Sequence, residues 1–170
     1  RALGDAVSEF EFTEDQVIPY YSMKVDRVSS KEDIPRLLMQ TGPLQALRER
    51  GRNIYSYTDE DRKTIDGWIR ELLRDGVIGT VFLDDPHIMV ASEIPYYAAA
   101  TRRERTLNQT EQAVYDHIVT DTPLNQIATD LEVSEDIVFR AVRKLESMYL
   151  VGRTDISGAS KWLYSRVEYP

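Results

Sequence analysis

The order of predicted elements between residues 107 and 164 constrains the fold more than any other feature of this 170-residue chain. Two short helical segments precede a longer one, and two strand-like segments follow at 151–154 and 161–164. Leu107-Asn108-Gln109-Thr110-Glu111 is typical of a helix cap, and Pro123 suits the first turn of the second helix. Ser157-Gly158 favours a turn between the strands. This order predicts a mainly α fold with a small β ribbon, in the α+β class.

The longer helix is predicted to follow Val133-Ser134-Glu135-Asp136, where Ser134 can cap it and the acids suit its positive end. Its apolar residues recur at helical spacing and are expected on the buried side. They are Ile137, Ala141, Val142 and Leu145.

An approximate second copy of this pattern lies in the N-terminal half. Gly42-Pro43-Leu44-Gln45 resembles Thr122-Pro123-Leu124-Asn125 at an offset of 80, and residues 68–79 resemble 141–152 at an offset of 73. The two offsets differ by seven, so we expect about seven extra residues, within 48–57, between the second and third helices of the first copy. Equivalent core positions are then predicted for Leu72 with Leu145 and for Ile69 with Val142.

The duplicated order resembles the winged helix-turn-helix superfamily, in which the third helix or the wing contacts a nucleic acid or a protein. The resemblance covers about 60 residues per copy and implies two tandem winged-helix modules. We assign residues 1–30 to an N-terminal arm or leading helix, 31–92 to the first module, 93–106 to a polar helical connector, and 107–170 to the second module.

Composition narrows the functional classes. The net charge is −8, with −4 in residues 1–106 and −4 in 107–170, whereas a strong nucleic-acid binder usually displays a basic face. The sequence has no cysteine and no apolar run of membrane-spanning length, which favours a cytoplasmic or nuclear protein without membrane contact. Because the chain begins at Arg1, we expect it to be part of a longer protein.

The extra segment of the first copy holds the first candidate contacts. Arg48, Arg50 and Arg52 are interleaved with glycine and lie beside Tyr55 and Tyr57, a composition suited to a phosphate backbone and to stacking on bases. The other interpretation is a solvated loop whose tyrosines cover the edge of the core. Two further cations in the next helix extend the candidate set: Arg62 and Lys63.

The second module supplies the remaining candidates. Arg140, Arg143 and Lys144 lie on the third helix and are expected to face at least partly outward. Arg153 and Lys161 lie on the predicted wing, which in this superfamily can touch a groove or backbone. Ordinary helix solubility explains the charges of the third helix equally well.

We therefore carry two hypotheses. The first is a nucleic-acid-binding tandem winged-helix unit, with DNA favoured over RNA, acting within a transcription, replication or helicase-type assembly. The second is a protein-interaction module of the same fold, using tyrosines such as Tyr20, Tyr21, Tyr96 and Tyr97. The sequence has no Gly-rich phosphate loop and no cysteine nucleophile, so we expect no catalysis, cofactor, metal or small-molecule substrate for this chain alone.

Overall fold

The computed structural model describes residues 25–46, 52–155 and 163–167, and within them the chain is an α+β protein. The first half contains α1 (Asp33–Thr41), a 3₁₀ turn (Ile54–Tyr57), α2 (Arg62–Arg74), β1 (Ile78–Leu83), β2 (Asp85–Val90) and a 3₁₀ turn (Ala91–Glu93). The second half contains α3 (Ile94–Thr101), α4 (Gln109–His117), β3 (Thr122–Pro123), α5 (Leu124–Asp130), α6 (Glu135–Ser147), β4 (Val151–Asp155) and β5 (Leu163–Arg166). None of these helices has the length and apolar character that a bilayer crossing requires.

Each half contains a small antiparallel sheet. β1 and β2 pair with Leu83 opposite Asp85, so the chain reverses at Asp84, whose φ is 65°. The second sheet has the order β3-β5-β4. In both halves the residues after the first helix pair with the second ribbon strand, as Leu44 does with Ile88 and as β3 does with β5.

The third helices of the two halves end in the same way. α2 and α6 each have 13 residues, and their bounds are related by the offset of 73 predicted above. Gly76 and Tyr149 follow them with φ of 69° and 55°. The next amide then returns to the helix: the N–H of Val77 donates to the Leu72 carbonyl at 3.0 Å, and that of Leu150 donates to the Leu145 carbonyl at 3.1 Å. This left-handed exit directs both chains into a strand.

The predicted core pairs are confirmed as buried. Leu72 and Leu145 are 5% and 0% exposed, and Ile69 and Val142 are both fully buried. They belong to two separate apolar clusters, one in each half.

The start of α6 differs from the prediction in two respects. Ile137 is 38% exposed and Val138 is fully buried in its place. The buried positions therefore run 138, 141, 142 and 145, the i, i+3, i+4, i+7 pattern of one helical face. Ser134 occupies the N-cap position but makes no side-chain capping hydrogen bond.

The extra segment of the first copy does not extend over residues 54–57 as predicted. Ile54–Tyr57 forms a 3₁₀ turn rather than part of a bulge, and the Asn53 side chain caps it by accepting from the Ser56 N–H at 3.1 Å. Ile54 is fully buried, as is Ile127 of α5, 73 residues later. The offset of 73 therefore already holds at Ile54, and the additional residues precede it, in a stretch that includes 47–51, outside the described residues.

The connector is only partly helical. α3 ends at Thr101, so the cationic residues that follow it are not helical. Ile94 and Ala98 of α3 are buried in the first core. Tyr149, from the second module, is buried in that core as well: its hydroxyl accepts from the Phe82 N–H at 3.0 Å and lies 2.6 Å from the Thr101 hydroxyl. A side chain of the second half therefore completes the core of the first half.

Candidate nucleic-acid interface

The outer face of α2 carries a row of cations. Lys63, Arg70 and Arg74 are exposed, and with Gly67 they follow the spacing i, i+4, i+7, i+11 of one helical face. We call these four residues the α2 stripe. The opposite face is buried, because Ile65, Ile69 and Leu72 pack into the first core.

The acids of α2 are engaged by neighbouring groups. The helix has four cations and two carboxylates, a net charge of +2. Asp66 accepts a 2.5 Å hydrogen bond from the Tyr55 hydroxyl, and burial together with this carboxylate raises the pKa of Tyr55. The Arg62 Nε lies 3.7 Å from Asp66, and its guanidinium covers the Tyr55 ring at 5.0 Å. Arg62 is thus exposed but held against the 3₁₀ turn.

Glu71, the other carboxylate of α2, bonds to Lys31 at 2.8 Å. The hydrogen bond and the charge of Lys31 lower the pKa of Glu71. The charge of Arg74 lowers the pKa of Glu71 further, and Arg74 itself bonds to Asp75 at 3.3 Å, just after α2.

The predicted loop cations can be located only in part. Arg52 is exposed and immediately precedes Asn53, the N-cap of the 3₁₀ turn. Arg48 and Arg50 lie outside the described residues, as does Lys161 of the predicted wing.

Arg143, at the position of α6 equivalent to Arg70, is directed toward the first module. Its two terminal nitrogens donate to the Asp85 carboxylate and to the Asp84 carbonyl, both at 2.8 Å. The guanidinium also lies over the Phe82 ring at 5.3 Å, an arrangement that favours the cation. Arg143 thus links α6 to the turn between β1 and β2.

Lys144 is likewise engaged within the protein. Its ammonium donates to Glu111 at 2.6 Å and to the Thr106 carbonyl at 2.9 Å. Glu111 also forms a capping box with Asn108 at the start of α4. Although burial raises the pKa of Glu111, the hydrogen bonds from Lys144 and Asn108 outweigh it and lower the pKa.

Arg153 is a buried structural residue rather than part of an exposed wing. It is 3% exposed, and it donates to Glu146 through Nε at 2.6 Å and through a terminal nitrogen at 3.2 Å. Its guanidinium lies 5.6 Å from the ring centre of Tyr164. Burial raises the pKa of Glu146, while the charge of Arg153 opposes this by favouring the carboxylate. This bidentate geometry holds the pair in the charged form. We therefore leave Arg153 out of the interface.

Among the predicted α6 cations, Arg140 is the exposed one. Its Nε donates to the Asp136 carbonyl of the same helix at 3.2 Å. Glu135 and Asp136 are exposed at the helix N-terminus. The outward surface at the start of α6 is consequently acidic, and exposed Asp59, Glu60 and Asp61 likewise precede α2.

Sequence reasoning had not selected Arg70 or Arg74. The signal was present, because both recur with Lys63 at helical spacing around Gly67. The predicted helix contacts lie mostly on α6 instead. There, Arg143 and Lys144 bond to Asp85 and Glu111.

Within residues 25–46, 52–155 and 163–167, no three or more His, Cys, Asp or Glu side chains are grouped so that they could hold a metal ion.

Comparison with known proteins gives no match: no family model, curated protein or solved structure matches the chain.

Proposed function

We propose that the chain is a nucleic-acid-binding tandem winged-helix unit in which α2 of the first module contacts duplex DNA and the second module supports it. The observation that carries the proposal is the exposed α2 stripe, with Lys63, Arg70 and Arg74 on one helical face. The repeated order of helix, short strand pairing, helical turn, long helix and ribbon supports the winged-helix assignment.

The chemistry of the α2 stripe suits a phosphate backbone. Arginine binds phosphate through a planar fork and lysine through a point charge, and an α-helix fits the major groove of B-DNA. Lys63 to Arg74 spans 11 residues, or about 16 Å along the helix axis. Such a row can meet successive phosphates along one strand.

The net charge of −8 does not oppose this local contact decisively. At physiological ionic strength, charges farther apart than about 8 Å are largely screened. Acids distant from the α2 stripe therefore weaken mainly the long-range attraction, whereas Asp75, which bonds to Arg74 at 3.3 Å, and exposed Asp61, two residues before Lys63, reduce the positive potential at the contact itself.

The second candidate is docking of a basic protein on α6. It is favoured by exposed Glu135 and Asp136 beside Ile137, which is 38% exposed. Tyr96, at 72% exposed, adds one aromatic side chain on α3. This alternative expects an oligo-arginine peptide to bind and Glu135→Lys with Asp136→Lys to abolish that binding, while duplex DNA does not bind.

The deciding experiment measures fluorescence anisotropy of a labelled duplex of about 20 base pairs between roughly 50 and 200 mM salt. The variant replaces Lys63, Arg70 and Arg74 together by Gln. We expect its affinity to fall by roughly one to two orders of magnitude, and the slope of log affinity against log salt to shrink by about 3, near one per lost phosphate contact.

The matched control replaces three exposed cations outside the α2 stripe and outside the predicted contacts, Arg36, Arg102 and Arg105, by Gln. It loses the same charge and should keep most of the affinity. Equal losses in the two variants would mean that net charge governs binding rather than α2. No measurable binding of the parent chain to DNA or RNA at low salt would overturn the nucleic-acid proposal.

A further inference from the structure

Gly67 lies at the centre of the α2 stripe, in the interior of a 13-residue helix. Glycine is a poor helix former, because it loses more backbone freedom on folding than any other residue. Its presence there calls for a reason, either inside the protein or outside it.

Three other glycines, Gly42, Gly76 and Gly152, have internal reasons. Gly42 and Gly76 have φ of 78° and 69°, which other residues rarely adopt. At Gly152 a Cβ would lie 3.1 Å from the Val167 Cγ1 and 3.3 Å from the Thr80 Oγ1, so neighbouring atoms leave little room.

Gly67 has neither reason. It lies in regular helix, and a Cβ built on it would meet no atom within 4 Å among the described residues. The equivalent position of α6 holds Arg140, an exposed side chain of full length. Helix geometry and the packing of the described residues therefore both admit a side chain at position 67.

We infer that Gly67 is where a DNA sugar–phosphate strand approaches the main chain of α2, with Lys63 on one side and Arg70 and Arg74 on the other. This inference rests on the function proposed above and specifies its geometry. Without a Cβ, a phosphate can reach the helix surface while cations one turn away on either side close on its neighbours. A side chain at position 67 would hold the strand away and lengthen those flanking contacts.

The test uses Gly67→Ala and Gly67→Leu, with melting temperature and duplex affinity measured on each. We expect the melting temperature to rise in Gly67→Ala, because alanine favours the helix and meets no clash. Affinity should fall by roughly ten-fold in Gly67→Ala, as for one weakened charge-assisted contact, and further in Gly67→Leu. No charge changes, so this loss would not arise from net charge.

The control is Ala99→Leu, which enlarges an exposed helical position of α3 outside the α2 stripe and should leave affinity unchanged. If the parent binds DNA and Gly67→Ala binds equally well, the inference fails while the proposed function stands. If the parent binds no nucleic acid, the proposed function fails first. A lower melting temperature in Gly67→Ala would also overturn the inference, because it would reveal an internal reason for glycine.

Discussion

The third helices of the two halves, α2 and α6, have the same length and the same exit turn but differ in how far their cations are buried, although Arg74 of α2 also pairs with Asp75, at 3.3 Å. On α2, Lys63, Arg70 and Arg74 are exposed on the outer face. On α6, Arg143 and Lys144 bond to Asp85 and Glu111 of neighbouring elements. The comparison teaches that an equivalent backbone does not imply an equivalent surface, because a cation's role depends on the acids that the rest of the fold brings near it.

The largest change in stability that distinguishes the two halves is expected from replacing Arg153. Arg153→Met leaves Glu146 buried without its guanidinium partner and should lower the free energy of unfolding by about 3–5 kcal/mol. Urea denaturation measures this loss. Position 146 corresponds to Leu73 in the first half, and the double variant Glu146→Leu with Arg153→Met replaces the buried ion pair by two apolar side chains and should recover most of the stability. A double variant as unstable as the single one would show that the pair is not the source of the loss.

The paired core leucines give the next largest effect. Leu145→Ala and Leu72→Ala should each cost about 2–5 kcal/mol, because each removes a buried side chain and leaves a cavity. Leu145, fully buried, should cost at least as much as Leu72, which is 5% exposed. Denaturant midpoints of the two variants compare them directly. A loss below about 1 kcal/mol in either would argue against equivalent core positions.

The smallest expected change in stability comes from Glu111. It affects the acid limb, which is the decline of the free energy of unfolding as pH falls below about 5. The folded-state pKa of Glu111 is lowered, so its contribution is present above its unfolded pKa, near 4.5, and is lost as pH falls through the folded pKa. Glu111→Gln should lower the free energy of unfolding by about 1 kcal/mol at pH 7 and flatten its decline below about pH 5.

The control for Glu111 is Asp33→Asn at the start of α1. Although burial raises the pKa of Asp33, hydrogen bonds from Ser29 and Ser30 outweigh it, with no cation among the causes. Both variants should flatten the acid limb. In a Lys144→Met background, the loss in the free energy of unfolding at pH 7 should become smaller for Glu111→Gln but not for Asp33→Asn. Equal deficits with and without Lys144 would show that the ion pair contributes nothing.

The sequence predicted the internal repeat well because the repeat depends on local patterns. The offset of 73 relates the bounds of α2 and α6, and it pairs Leu72 with Leu145 as buried residues. The periodicity was misread at Ile137, because shifting the apolar face by one position exchanges Ile137 for Val138. Helix periodicity fixes such a face only when the phase is anchored by several residues.

Partners distant in sequence could not be predicted in the same way. Arg143 bonds to an acid 58 residues earlier, and Lys144 to one 33 residues earlier. Arg153 was predicted on an exposed wing, and its burial depends on Glu146 facing β4 from the end of α6. Such pairings follow from tertiary packing, which periodicity and propensity do not encode.

Tyr149 connects the cores of the two halves of the chain, and we expect it to couple their folding. It comes from the turn after α6, yet its ring lies in the core of the first module and its hydroxyl accepts from the Phe82 N–H. A first module severed from the second would therefore be left with a hole in its interior and a backbone donor deprived of its acceptor. Both halves should accordingly unfold in a single calorimetric transition on heating, as expected for one cooperative domain rather than for two independent domains.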